Sequence, residues 1–524
     1  SVGFKLILLR MKKFLSLCFA ASALAQHPSA IKYTGNAELW VMDQADTSSS
    51  GGGVLYVTDL NGEIERTIDI NALTGGAGCS QLKRPHMLSP VSEVGGTNTK
   101  YIVLSSVGSG NVQVLDTATK TIVGCIDFPD KANGSKASLH QAAISKDGSY
   151  FVGFDIGPVG RIFKVKISPT TDGKVDLTLV STLELTDEKF PSVAQAKPIC
   201  GVLNQQTNLF YVTLAGGGII VFDANSDETV VKHVYSKNEV PGIGCTVDYL
   251  GDGSMISGGA SLTGTNTIFH WPAPKSIDDF PAPKEYVMEK ASDIHGTFTC
   301  ETASESFVWV AKRLGGGFSV LSLKTGEISE IPLPLNNGVA VLPDVATYLR
   351  NGPGGGRAFV ALRGPKPLTA VTKYQESKRR AGWAVFDVTA DCKQIKGGNV
   401  KYVDANPTMI PSGNPDIHGI SLVWKAGDRS FAPVPPPAKK PVAAPCEAAT
   451  TTTTAPATTF GYPPANFYGF GNSLPTYSYG AGFRYPLSSR FGGSTNLLSG
   501  YGGSAYYGSA FPAYNVGTTR AGGN

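Results

Sequence analysis

Seven histidines occur in this chain of 524 residues, and two of them share one four-residue frame: Asp-Ile-His-Gly stands at 293–296 and again at 416–419. Imidazole changes charge near neutral pH and is the commonest transition-metal ligand, so a repeated placement points to acid–base or metal chemistry. Four other segments can be laid on the same frame. A turn at Asp147-Gly148 follows His140 at the distance at which Asp252-Gly253 follows Cys245, and Phe151 follows His140 as Tyr211 follows Cys200. With His86 opening a further segment, one repeated position reads His86, His140, Cys200, Cys245, His295 and His418, and a remaining unit offers Asn337 or Gly338.

Imidazole and thiolate together form the donor set preferred by copper and zinc. Asp293 and Asp416, each two residues before a histidine, are placed to orient a ligating ring through its other nitrogen. A plainer reading of the same residues stays open. The histidines can brace turns by bonding to backbone, and Cys200 and Cys245 can form a disulfide, which excludes them as thiolate donors.

Elements that would bring these side chains together are legible as a repeat. "HQAAISKDGSYFVGFDIGPVGRIFKVKIS" from His140 contains a short apolar segment, an Asp-Gly turn, an alternating strand and a further strand. "CGVLNQQTNLFYVTLAGGGIIVFDANSDETVVKHV" from Cys200 and "HGTFTCETASESFVWVAKRLGGGFSVLSLKTGEISEI" from His295 follow the same plan. Units of four short strands recurring at roughly 45 to 80 residues indicate propeller blades rather than a sandwich. Six units leave a lone first strand at 416–424 and three strands within 37–71. Joined, they complete a seventh blade, so the expectation is an all-β, seven-bladed propeller over 37–424, closed by strands from both ends. The first strand of each blade lines the central channel, which would aim the repeated position at one axis.

The stretch "LFYVTLAGGGIIVFDANSDETVV" resembles the YVTN-repeat family of seven-bladed propellers, with lactonase-like and quinoprotein-like members. The resemblance implies the architecture. The acidic and asparagine metal ligands of the lactonase-type members find no residue-by-residue match.

Outside the propeller the composition changes. Lys12-Lys13, an apolar run from Phe14 and the frame Ala23-Leu24-Ala25 predict a secretory signal peptide at 11–25, too short in its apolar run to span a bilayer. No transmembrane segment is expected. Residues 432–459 form a Pro/Thr-rich linker, and 460–524 form a Gly/Tyr/Ser-rich tail expected to be disordered, with nine tyrosines, Arg484, Arg490 and Arg520 but no acid. Such a tail suits self-association or attachment to an extracellular matrix or cell-wall component. Asn133-Gly134-Ser135 is a glycosylation frame. A formal charge of +4 without a basic stripe excludes nucleic acid as an implied partner. The glycine runs at 216–218 and 315–317 lie between strands, so they are turns and not phosphate loops.

Two functions follow. The first is a secreted propeller that binds or scaffolds at an extracellular surface or matrix, with copper or zinc in its channel or no cofactor, and with room for a small-molecule ligand. The alternative is a secreted metalloenzyme, of oxidase or lactonase/hydrolase type, working through the His/Cys ring.

Overall fold

The computed structural model describes residues 37–44, 53–74, 78–92, 98–131, 133–157, 159–186, 188–193, 197–224, 226–242, 246–250, 252–259, 266–288, 293–350, 355–367, 375–406 and 414–425. The leader, the linker, the tail and Cys245 lie outside the described residues.

Seven four-stranded antiparallel sheets follow one another along the chain. Blade one begins with the strand Pro85–Ser92, blade two with Leu139–Ile144, blade three with Lys197–Asn204, blade four with Thr246–Tyr249, blade five with Ile294–Glu301 and blade six with Pro343–Arg350. Blade seven is composite, as expected. Its innermost strand Ile417–Trp424 pairs with Ala37–Asp43, which continues outward through Val54–Thr58 and Ile64–Asp69. Pairing of Ala37 with Trp424 and of Val41 with Ile420 closes the ring and covers the edge of Ala37–Asp43.

Seven hydrophobic clusters fill the spaces between neighbouring blades, one for each interface of a closed seven-membered ring. Trp383 of blade six packs with Tyr56 of blade seven, and Phe210 of blade three lies in one cluster with Phe154 of blade two. This explains a departure from the expected alternation. Inner strands such as Ala37–Asp43 and Gly317–Ser322 are buried at every residue, because a sheet inside the ring is covered on both faces. Outer strands such as Ile64–Asp69 and Ile328–Pro332 carry the solvent-facing residues instead.

Disulfides add covalent links. Cys79–Cys125 ties the segment before blade one to that blade's outer strand. Cys300–Cys392 joins the innermost strand of blade five to the turn after the third strand of blade six, so it staples two blades together.

Candidate metal centre in the channel

A backbone irregularity, repeated from blade to blade, presents the candidate residues. In blades one, two, three, five and six the ladder between first and second strand skips two residues, passing from Pro85 to Leu88, Leu139 to Ala142, Pro198 to Gly201, Ile294 to Thr297 and Pro343 to Ala346. In blade seven Asp43 faces Ile417 and Met42 faces Gly419, which leaves His418 out of the pairing. Such a bulge re-aims a side chain and is characteristic of strand ends near sites. The first skipped residues are His86, His140, Ile199, His295 and Asp344, joined by His418.

This register corrects two sequence assignments. The position in blade three belongs to Ile199, one residue before Cys200, and in blade six it belongs to Asp344 rather than Asn337 or Gly338. Cys200 is disulfide-bonded, so it is not available as a thiolate ligand, while Cys245 falls outside the described residues. Both glycines of the repeated tetrapeptide have a spatial cause. A Cβ on Gly296 would meet the Asp344 carbonyl at 2.2 Å, and one on Gly419 would meet the His86 carbonyl at 2.8 Å. The glycine lets the neighbouring blade's bulge come close.

The four histidines converge as expected. The His86 ring stacks on His418 with centroids 3.9 Å apart and stands edge-on to His140 at 4.2 Å, and His295 lies 5.8 Å from His418. All four are at most 9% exposed. One ligand atom each from His86, His140 and His418 lie within 4.8 Å of one another, and so do atoms of His295, Asp344 and His418.

Hydrogen bonds fix two of the tautomers. His418 Nδ1 lies 2.8 Å from Asp344 Oδ2, which can only accept while ionised, so Nδ1 carries the proton. Gln44 donates its Nε2 to Asp416 at 2.8 Å, which turns its Oε1 toward His86 Nδ1 at 2.9 Å, and that nitrogen is protonated as well. In both rings Nε2 therefore holds a bare lone pair, and neither Nε2 has a hydrogen-bond partner. His140 bonds to the Ile199 backbone and places Nδ1 3.5 Å from Cys200 Sγ.

Two arginines, just past the second strands of blades five and six, surround Asp344. Arg313 donates to its Oδ1 from Nε at 3.1 Å and Nη2 at 2.7 Å, and Arg363 donates from Nη1 to Oδ2 at 2.7 Å. Arg363 also forms a two-pronged pair with Asp416, both contacts at 2.7 Å. Asp416 thus serves Arg363 and Gln44, while Asp293 lies 3.7 Å from Arg313. Neither aspartate orients the histidine of its own tetrapeptide, contrary to the sequence expectation; the carboxylate on His418 is Asp344.

Electrostatics keep the imidazoles neutral. Burial, then the neighbouring His418 and His140 and Arg363, holds His86 well below its usual range; burial and His418 bring His140 to about 3. Burial and Arg313 hold His295 well below as well, and burial lowers His418 against the pull of Asp344. Burial works to raise the Asp344 carboxyl, but Arg313 and then the imidazoles and Arg363 hold it well below the carboxylate range. Neutral imidazole is the metal-binding form. Asn133, the glycosylation frame, sits apart in an exposed turn.

No family model and no curated protein matches this sequence. Three solved structures are similar to it at low identity. Dihydro-heme d1 dehydrogenase NirN, in complex with DHE, is similar at 11% identity and a TM-score of 0.43, over 73% of this chain and 67% of its own. The β-propeller domain of Myceliophteria thermophila Cps50 (Swd1) is similar at 13% identity and 0.40, over 63% and 93%. Kuenenia stuttgartiensis hydrazine synthase gives 11% and 0.40, over 62% and 97%.

Proposed function

We propose that this protein is a propeller that holds one transition-metal ion, copper or zinc, in its channel through His86, His140 and His418. One observation carries the reading: His86 and His418 are buried, each donates its Nδ1 proton to an acceptor oxygen, and each turns an Nε2 without a hydrogen-bond partner into the same cluster. An unsatisfied buried nitrogen costs on the order of 1 to 3 kcal/mol, and two on one cluster are explained together by a bound cation. Asp344 and Gln44 supply the orienting contacts that ligating histidines characteristically have. Three nitrogen donors leave a tetrahedral ion one open position, the arrangement of a centre that binds or transforms a small ligand.

We further infer that the protein acts outside the cytosol, as a secreted metal-binding or scaffold protein. Support comes from the leader-like segment at 11–25 and from the disulfide bonding of all five described cysteines.

Elemental analysis of the purified full chain, before and after dialysis against copper or zinc, tests the metal reading. One ion per chain is expected, falling to background in the His86→Gln/His418→Gln variant. Equal metal in the variant and the parent chain would overturn the reading.

A further inference from the structure

Four histidines meet in the channel, but they do not form one equivalent set. His86, His140 and His418 bring ligand atoms within 4.8 Å of one another, whereas His295 groups with Asp344 and His418. That second group is unsuited to a cation. Both Asp344 oxygens are already engaged, by Arg313 on one side and by Arg363 and His418 on the other, and a metal there would sit between two guanidinium groups.

His295 is left in an unusual state. It is 6% exposed, and neither Nδ1 nor Nε2 has a hydrogen-bond partner. Its Nε2 comes within 3.1 Å of Asp344 Oδ1, but the ring does not point along a hydrogen bond. Two unsatisfied nitrogens on one buried ring are costly unless something polar occupies the space beside them. With ring centroids 5.8 Å apart, His295 and His418 are close enough for one small guest to touch both.

We infer that His295 is not a metal ligand but the hydrogen-bonding partner of an exogenous ligand, a water or a small anion, held in the metal's open position. This rests on the metal-binding reading above. The guest spends one lone pair on the metal and accepts a hydrogen bond from the neutral His295 ring through another. The ring lies beside both Arg313 and the Asp344 carboxylate, 3.1 Å from its Nε2, so the positive charge that would hold an anion there is the metal's own. The burial of all four rings, at most 9% exposed, restricts the guest to a few atoms.

Cobalt(II) substitution of the full chain tests the assignment, with azide as the probe. Its visible bands report the ligand set, and azide titration at fixed pH reports the open position. Expected for His295→Ala are one cobalt per chain, unchanged bands before azide is added, and azide affinity reduced about tenfold, the loss of one hydrogen bond. His295→Gln, which keeps a donor, is expected to recover most of that affinity. Loss of cobalt or altered bands in a folded His295→Gln chain would make His295 a ligand and overturn the inference alone. Azide affinity equal to the parent's in cobalt-loaded His295→Ala would overturn it too. A parent chain that takes up no cobalt overturns the metal reading and this inference with it.

Discussion

In blade seven the repeated tetrapeptide is locked: Asp416 is clamped by both prongs of Arg363 and by Gln44, and His418 is pinned by Asp344. In blade five the same four residues sit on a wider bulge, Asp293 stands 3.7 Å from Arg313, and neither ring nitrogen of His295 has a hydrogen-bond partner among the described residues. The same four residues are not placed identically: Asp293 takes a φ of 46° while Asp416 has no positive φ, and the ladder passes over both His295 and Gly296 in blade five but over His418 alone in blade seven. What each histidine can do is set by the blade beside it. Both rings face Asp344: His418 bonds to its Oδ2, whereas His295 approaches Oδ1, where Arg313 already donates twice.

The comparison breaks most severely where the two blades differ in assembly, since blade five is one continuous stretch and blade seven draws its innermost strand from far along the chain. Ending the chain at Gly413 removes that strand and uncovers the edge of Ala37–Asp43, so aggregation is expected; ending it at Ala432 is expected to leave a folded, monodisperse propeller. Size-exclusion profiles of the two truncations decide the matter, and like behaviour would disprove the closure.

A smaller effect is expected from one substitution made in both tetrapeptides. Asp416→Asn removes a charge that a fully buried guanidinium depends on, and should lower stability by about 3 kcal/mol or more. Asp293→Asn should cost less than Asp416→Asn, because Arg313 keeps Asp344 and asparagine tolerates the positive φ of 46° at this position. Chemical denaturation of both variants measures the difference; equal losses would mean that the two copies are held alike.

The mildest test is pH. In the folded, metal-free chain all four imidazoles are lowered from their usual 6.5. The unfolded chain therefore binds more protons below about pH 6.5, and stability falls as the pH drops toward the folded values, about 3 for His140. Each ring that stays neutral contributes about 1.4 kcal/mol per pH unit. Between pH 6 and 5, His295→Gln should flatten the slope by one such increment, and His418→Gln should flatten it in the same direction. A slope unaffected by either change would show that these rings titrate normally.

Much of this was legible beforehand. Strand-and-turn recurrence gave the blades and the closure, and His86, His140, His295 and His418 converge as their shared frame implied. Asp344 was missed because the blade-six segment carries extra residues before its first strand, which drew the alignment to Asn337 and Gly338; Pro343-Asp344 nevertheless mirrors Pro85-His86. Cys200 was misplaced by one residue because a two-residue bulge tolerates such a slip. Arg313 and Arg363 left only a faint signal, an arginine just beyond a strand end, and Gln44 likewise follows a strand. Their roles depend on contacts between blades, and no local pattern encodes those.

Closure by the strand Ile417–Trp424 also bears on the order of events during synthesis. Asp416 and His418 are among the last propeller residues to be made, and Ala37–Asp43, their pairing partner, among the first. Until translation has passed Trp424, the nascent chain lacks one of the three clustered imidazoles and the aspartate that steadies Arg363. Ring closure and completion of the histidine cluster are therefore a single event, and a chain released early lacks the finished cluster.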